Sequence, residues 1–426
     1  MSWSVRARPR PARSGPAAPA LRDTVWSGLL MIQGLGPLHR PDPAVVRERW
    51  AAFAATPMGA GLPPVDGVVV EEAHLTTGEM PQAVSRLMLQ APRDRPTVVV
   101  GADCLLVCVP HQLGDGAFMV RGLVPALASG RTDPAGTVEP RPLVTALRRS
   151  GLLRSPRRLR AAAAHLRASR GAAAPAPAPP AHLLDAAEPP CAVHAASPAG
   201  FLPALKPWRA SHLPGVGPAA LITAGVRLAL EDEGFLAPHE PSAVLFDLRR
   251  HLGRGALVRG SLTAALRLPG PVVRDPRALD KALADTAADG LPLLSALAAT
   301  AGAAVRRLRG GGSSRPEATT GARPAAPLAV TITHLGRNSL YGAFDWRDGA
   351  GAATTVSLEA ASVSGDGGIT VLTSELGGRL HVTVCSGGGI SRAALQRVAD
   401  RAAGHLTELI VPTGDGIVVV AGEAHV

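Results

Sequence analysis

The sequence predicts an α/β fold built from two domains, and three observations support this prediction. The chain has 426 residues, which is long enough for two packed cores. Hydrophobic residues make up 46% of the chain and charged residues 18%, a balance typical of globular proteins. Short apolar runs rich in β-branched residues alternate with helix-like patterns along both halves, as α/β architectures require.

In the first half, three strand patterns alternate with three helix patterns. The predicted strands span 25–38, 68–75 and 97–109, and the predicted helices span 41–55, 80–90 and 117–128. Asp42 and Asp115 stand at the starts of the first and third helices, where a carboxylate can accept hydrogen bonds from free backbone N–H groups. Pro110 has no N–H and should end the strand before it.

In the second half, helix patterns again alternate with strand patterns. The predicted helices span 218–233, 276–287 and 390–409, and the predicted strands span 243–246, 328–334, 353–358, 380–385 and 416–421. Residues 171–180 are proline- and alanine-rich and predict an extended linker. We therefore divide the chain into a disordered basic tail (1–23), a first domain (24–170), a linker (171–213) and a second domain (214–426).

The net charge of +11 is compatible with nucleic acid, an anionic membrane or an acidic partner. Eight arginines and no acid lie between 148 and 170. They form either a solvated helix or a landing surface for a carrier protein or coenzyme A phosphates, with a membrane or nucleic acid as further alternatives. Aromatic residues make up only 3% of the chain, which argues against single-strand stacking, so we expect no nucleic-acid partner.

The sequence predicts no membrane span, because no run of eighteen apolar residues is present. Four cysteines in so long a chain do not suggest a disulfide framework, and a reducing cytoplasm is expected. Cys104, Cys108 and His111 could suggest zinc. The strand pattern favours buried thiols, so we expect no metal.

The residues best suited to chemistry lie between 108 and 119, where a strand pattern gives way to a helix pattern. This stretch contains His111, Asp115 and Gly116. A neutral imidazole in the loop after a strand can take a proton from a hydroxyl or an amine. The alternative interpretation is that His111 is a capping or core histidine without a catalytic role.

The stretch from His111 to Gly116 resembles the His-x-x-x-Asp-Gly signature of the condensation-domain and chloramphenicol acetyltransferase-like acyltransferase superfamily, which includes polyketide-associated acyltransferases and wax ester synthase-like enzymes. Three later stretches, in the expected order, add to the resemblance: 211–230, the Asp-Leu-Arg strand at 244–250 and the Leu-Gly-Arg strand at 331–337. Together they cover most of the chain. Departures are Pro110, where many members have a first histidine, Gly260-Ser261 for Gly-Asn, and a reduced aromatic-glycine motif at 344–346.

The resemblance implies two chloramphenicol acetyltransferase-like subdomains in a V-shaped pseudodimer, with one active site in the channel between them. It implies a cytoplasmic enzyme of secondary metabolism that moves an acyl group from a coenzyme A or carrier-protein thioester to a small hydroxyl or amine acceptor. His111 would be the general base and the Gly116 N–H an oxyanion donor. Asp115 would be structural, with Arg249 as its partner and Arg250 as second choice.

The resemblance also implies that no cofactor is bound permanently, because acyl-coenzyme A or acyl-phosphopantetheine is a co-substrate. We expect a monomer. Asp345 and Trp346 would either line the channel or belong to the core, and a core tryptophan is the favoured interpretation. The altered motifs keep a second hypothesis open, in which the chain is a non-catalytic relative that binds a carrier protein or a partner enzyme.

Overall fold

A computed structural model describes residues 20–131, 137–171, 180–253, 255–308, 329–362, 368–409, 411–413 and 416–418. The strands are β1 Leu30–Gly36, β2 Val69–Glu71, β3 Thr97–Val100, β4 Leu105–Pro110, β5 Thr137–Val138, β6 Cys191–Ala196, β7 Ser242–Asp247, β8 Ala256–Leu257, β9 Thr263–Leu268, β10 Ala329–Arg337, β11 Val356–Ala361, β12 Gly368–Leu376, β13 Arg379–Ser386, β14 Val411–Thr413 and β15 Gly416–Val418.

Helices separate most of these strands. They are α1 Pro43–Ala54, α2 Met80–Gln90, α3 Gly116–Phe118, α4 Val124–Ser129, α5 Pro142–Arg149, α6 Pro156–Gly171, α7 Phe201–His212, α8 Pro218–Asp232, α9 Gly270–Arg274, α10 Pro276–Asp289, α11 Leu291–Leu308, α12 Arg392–Gly404 and α13 Leu406–Leu409. One π-helical turn, Met119–Leu123, joins α3 to α4, and short 3₁₀ turns include Asp23–Trp26, Leu248–His251 and Ser339–Ala343.

Two main sheets organise the described residues. The first has the order β11-β1-β4-β3-β2 and the second β6-β13-β12-β10-β7-β9. Strand β11 comes from the second half of the chain, yet it pairs antiparallel with β1 of the first half. The two halves therefore share a sheet, and they do not merely lie side by side.

Each sheet is covered by helices, and a further core joins the halves. Trp50 and Phe53 of α1 pack against the first sheet, and α8, buried along almost its whole length, packs against the second. A third apolar cluster joins β1 and β4 to β12 and β13, with Ile32 and Leu372 among its members. Burial between the sheets therefore holds the halves together.

The local predictions that depended on caps and strand ends are confirmed. Helix α1 begins after Asp42, whose carboxylate accepts the Ala44 N–H at 2.7 Å. Helix α2 has the bounds 80–90 that the sequence predicts, and β4 ends at Pro110. The predicted helix at 117–128 is present as α3, the π turn and α4.

The predicted linker is wrong in part. Residues 172–179 lie outside the described part of the chain, but β6 and α7 both fall within 171–213. Strand β6 pairs with β13, although half of its residues are alanine, and α7 includes Pro207 in its interior. Both elements depend on tertiary packing that their local sequence does not signal. The domain boundary itself stays a prediction.

The predicted disordered tail is also too long. Residues 1–19 lie outside the described part, whereas Asp23 is buried and begins the 3₁₀ turn Asp23–Trp26. Strands β9 and β12 and helix α11 had no counterpart in the sequence prediction.

No single helix of the described residues has both the length and the apolar composition to span a membrane. The bent pair Pro276–Asp289 and Leu291–Val305 meets those two criteria together.

Candidate active site

His111 stands where β4 ends, and the neighbouring strand fixes its backbone. Its N–H donates to the Leu29 carbonyl at 2.8 Å, just before β1 begins. The residue is 6% exposed, and its buried Nδ1 makes no hydrogen bond of normal geometry with the described residues. The half-buried Trp26 stacks on the imidazole, with ring centroids 4.4 Å apart and planes 8° apart.

The surroundings of His111 keep its ring neutral. Burial lowers the pKa of His111 below its usual range, and the opposing effects of its own carbonyl and of Asp115 are smaller. At neutral pH the imidazole is therefore unprotonated and able to accept a proton. The flat face of Trp26 can stabilise the imidazolium formed when it does so, because an aromatic face attracts a cation.

The carboxylate of Asp115 accepts hydrogen bonds from residues of both halves of the chain. It is 1% exposed and forms two hydrogen bonds of 2.8 Å with Nη1 and Nη2 of Arg249, and it also accepts the Leu262 N–H at 2.8 Å. On its own side it accepts the Ala117 and Phe118 N–H groups and so caps α3. Burial alone would raise the pKa of Asp115, but the charge and hydrogen bonds of Arg249 keep it below its ordinary value.

Arg249, the first-choice partner from the sequence, is thus the residue that meets Asp115, whereas Arg250 is exposed. The strand β7 and the turn Leu248–His251 place Arg249 there, and Asp247 caps that turn through the Arg249 N–H at 2.9 Å. The contacts of Asp115 are structural ones. It fixes the loop that carries His111 against the second half.

A second contact between the halves lies beside this pair. Gly114 forms a bridge with Gly260, whose N–H donates to the Leu113 carbonyl at 3.2 Å. Gly260 has a φ of +76°, and a Cβ there would lie 2.4 Å from a carboxylate oxygen of Asp23. Glycine is therefore required at this position, both for the left-handed backbone and for the close approach of Asp23.

Asp23 connects the start of the described chain to the same place. Its carboxylate accepts the Ser261 N–H at 2.9 Å and pairs with Arg22 at 3.2 Å. Burial raises the pKa of Asp23 to about 6, although Arg22 and the Ser261 N–H act in the opposite direction. This attachment positions the turn whose last residue, Trp26, covers His111. The sequence prediction missed Trp26, and its one signal was its position just before the strand that pairs with β4.

A cavity of about 310 Å³ opens beside His111, between the two halves. His111, Asp115 and Gly116 line it from one side. The other side comes from β7, β9, β10 and β12. Its apolar and hydroxyl-bearing residues are Leu245, Phe246, Thr263, Ala265, Ala329, Thr331, Thr333, Leu335, Thr370 and Leu372, and its charged or titratable residues are Asp247, His334 and Arg337. Ligand cavities are commonly of this size and mixed character.

Gly116 is the first residue of α3, at the edge of this cavity. The Asp115 carboxylate accepts the next two N–H groups of the helix and does not engage the Gly116 N–H. A Cβ at Gly116 would lie 2.9 Å from Cδ2 of Leu335 in β10. The glycine therefore permits close contact between the loop that carries His111 and the opposite wall.

The remaining site predictions concern residues that lie elsewhere. Trp346 is buried, and its Nε1 donates to the Tyr341 carbonyl at 2.6 Å, so it belongs to the core, whereas Asp345 is exposed. All four cysteines are buried and free, and burial raises the pKa of both Cys104 and Cys108 to about 12. Among the described residues, no group of histidine, cysteine and acidic side chains is arranged to hold a metal ion.

No protein-family model matches the sequence, and no curated protein is significantly similar to it. Solved structures do match. The first condensation domain of the calcium-dependent antibiotic synthetase superposes with a TM-score of 0.55 at 16% identity, over 96% of this chain and 99% of that one. The chain has the fold of condensation domains.

Two other structures show the range of proteins that share this fold. A trichothecene 15-O-acetyltransferase from Fusarium sporotrichioides matches with a TM-score of 0.57 at 10% identity, over 91% of this chain and 94% of that one. The nonribosomal peptide synthetase FmoA3 matches with a TM-score of 0.51 at 17% identity; 93% of this chain is covered but only 45% of that one. The predicted fold class, two acetyltransferase-like halves joined as a pseudodimer, is confirmed.

Proposed function

We propose that the chain is an acyltransferase that moves an acyl group from a coenzyme A or carrier-protein thioester to a hydroxyl or amine acceptor, with His111 as general base. The observation that carries the proposal is the position of a neutral, buried imidazole at the wall of a 310 Å³ cavity between two halves of a condensation-type fold. We also propose that the protein works as a cytoplasmic monomer.

The chemistry follows from the residues around the cavity. His111 takes the acceptor's proton as its oxygen or nitrogen attacks the thioester carbonyl. The N–H of Gly116 lies at a helix start, where it can stabilise the oxyanion that develops on that carbonyl. When the C–S bond breaks, the imidazolium returns the proton to the thiolate. Asp115 takes no proton, and its contribution is to hold the loop.

The proposal is tested by turnover of a panel of acyl-coenzyme A and acyl-pantetheine thioesters with simple alcohol and amine acceptors. His111→Ala should reduce turnover about 100- to 10,000-fold, the usual contribution of a general base. His405→Ala, at an exposed histidine paired with Glu408, should leave turnover unchanged. Because the pKa of His111 is lowered, activity should be flat at neutral pH and fall only in the acid range. Equal turnover by His111→Ala and wild type would refute the role of His111.

A non-catalytic carrier-binding module is a second candidate function, and the arginine surface supports it. Arg148, Arg149, Arg154, Arg157 and Arg160 are all exposed on α5, α6 and the turn between them. Arginines so placed can attract the acidic face of a carrier protein. If this function is the correct one, a carrier protein should bind equally to wild type and His111→Ala, neither should turn over, and Arg157→Glu/Arg160→Glu should weaken the binding.

A further inference from the structure

A second cleft, of about 670 Å³, lies among the described residues, and nothing in the proposed chemistry uses it. Helix α7, the start of α8, the turn after β10 and the β12–β13 hairpin form its walls. Its polar side chains include three cations, Lys206, Arg209 and Arg337, and one acid, Glu375. The charged side chains of this cleft therefore carry excess positive charge.

The cations of this cleft are available to a ligand. Lys206 and Arg337 are exposed and form no hydrogen bond or ion pair with the described residues. Arg209 is half-buried, and one of its nitrogens donates to the Val216 carbonyl at 2.9 Å, which fixes the guanidinium in place. The single acid is already engaged, because His334 Nε2 lies 3.4 Å from Glu375. A hydrogen bond from His334, with smaller effects of Arg337 and Arg209, lowers the pKa of Glu375.

Arg337 connects this cleft to the catalytic cavity, because its side chain lines both. The cavity at His111, of about 310 Å³, is at the lower end of the range for ligand sites, about 300–1,000 Å³. An acyl group, an acceptor and a charged nucleotide together form an unusually large ligand for a cavity of this volume. The phosphate-bearing end of a thioester donor is therefore expected to lie outside it, and the adjoining cleft is both larger and cationic.

We propose that the cleft formed by Lys206, Arg209 and Arg337 binds the phosphate groups of the pantetheine-bearing thioester donor. The assignment rests on the proposed acyltransfer. Ammonium and guanidinium groups are the protein's usual partners for phosphate oxygens, lysine as a point charge and arginine as a fork of donors. The phosphates belong either to free coenzyme A or to the arm of a carrier protein.

The lysine content of the chain allows a test that needs no turnover. Lys206 and Lys281 are the chain's two lysines. Lys281 is exposed on α10, beside Asp285, and does not line the cleft, so it is an internal control. The side-chain amines are reductively methylated in the presence of S-methyl-coenzyme A, S-methyl-pantetheine or a carrier protein with and without its arm, and each lysine is followed by peptide mass spectrometry.

We expect S-methyl-coenzyme A or the arm-bearing carrier to slow methylation of Lys206 at least about fivefold and to leave Lys281 unchanged. S-methyl-pantetheine, which has no phosphate, should protect neither lysine. Protection by S-methyl-coenzyme A alone identifies the free coenzyme as donor, and protection by the arm-bearing carrier alone identifies the carrier arm. No protection by either, equal protection by S-methyl-pantetheine, or equal protection by the carrier without its arm would overturn the proposal.

Kinetics provide a second measurement in the same cleft. Lys206→Met keeps the apolar stem and removes the charge. It should raise KM for an acyl-coenzyme A about tenfold, the effect of losing one charge-assisted hydrogen bond, and leave kcat and the KM for the matching acyl-pantetheine unchanged. Lys281→Met should change neither KM. If wild type shows no turnover, the proposed acyltransfer fails, while the protection of Lys206 still decides whether the cleft binds phosphate.

Discussion

Two of the buried carboxylates that join the halves of this molecule, Asp115 and Glu359, are held in opposite ways. Asp115 meets a full positive charge, the guanidinium of Arg249. Glu359 of β11 is 2% exposed and, among the described residues, meets neutral donors only: it accepts from Gln33 at 2.9 Å, Asn338 at 3.1 Å, Ser357 at 2.8 Å and Ser374 at 2.6 Å. Both carboxylates tie the first sheet to residues of the second half.

The difference concerns what each carboxylate is required to hold. Asp115 fixes an irregular loop, and one charged pair with two parallel hydrogen bonds determines both its position and its orientation. Glu359 lies within a regular strand that already pairs with β1, so its donors come from surrounding elements and spread the negative charge over several dipoles. Removing the charge of Asp115 should therefore destabilise the protein much more than removing the charge of Glu359.

The largest loss of stability is expected from Asp115→Asn, which keeps the shape of the side chain and removes its charge. Arg249, whose side chain is 11% exposed, would be left without its buried counter-charge. We expect a loss of about 3–5 kcal/mol in the free energy of unfolding, measured by urea denaturation. Asp247→Asn is the matched control. Asp247 also lies 3.3 Å from Arg249 but is exposed, so its loss should cost less than about 1 kcal/mol.

A smaller loss of stability is expected from Glu359→Gln, the equivalent change at the second carboxylate. A glutamine oxygen can still accept from Gln33, Asn338 and Ser357, and the Ser374 hydroxyl can turn to accept from the new amide. The loss should be about 1 kcal/mol, the difference between charged and neutral hydrogen bonds. The comparison would break down if Glu359→Gln destabilised the protein as much as Asp115→Asn in the same denaturation experiment.

The sequence analysis identified Asp115 but not Glu359, and the reason is physical. Asp115 belongs to a short motif, and its partner Arg249 belongs to another, so matching both motifs placed them together. Glu359 stands in an ordinary strand pattern, and its donors lie on its own strand and on three other segments. Nothing in the local sequence indicates that a strand of the second half joins the first sheet, because that pairing is determined by tertiary packing.

The same distinction explains the other successes and failures. Caps and strand ends depend on a few neighbouring residues, so Asp42, Pro110 and Asp115 could be assigned from the sequence. Strand β6 is half alanine, and its strand conformation is supported by pairing with β13. Trp26 reaches His111 through the attachment of Asp23 to Ser261, a contact between the two halves of the chain that no spacing rule predicts.

The regions around Asp115 and Glu359 should also differ in how their stability depends on pH. This is the smallest of the changes in stability that we expect. His381 is fully buried next to the glutamate network, where its Nδ1 accepts from the Ser357 N–H at 3.4 Å and lies 3.4 Å from His194 Nε2. Burial lowers the pKa of His194 to about 4 and that of His381 well below its usual range, and Arg379 adds to both effects. The unfolded chain binds protons at these histidines from about pH 6.5 downward, whereas the folded chain does not. Stability from this pair should therefore be lost as pH falls from about 6.5 towards 4.

Other groups titrate in the same window, so the test compares variants. His111 and His251 have lowered pKa values and act in the same direction, whereas Asp23, with its pKa raised to about 6, is stabilising at the lower end of this window and opposes them. His381→Gln should make the plot of unfolding free energy against pH less steep between 6.5 and 4 than in wild type. His405→Gln, at an exposed histidine, should leave the slope unchanged. The same slope in His381→Gln and wild type would mean that the buried histidines do not cause the loss of unfolding free energy at acid pH. The Asp115–Arg249 pair should persist through the same pH range, because the pKa of Asp115 lies below it.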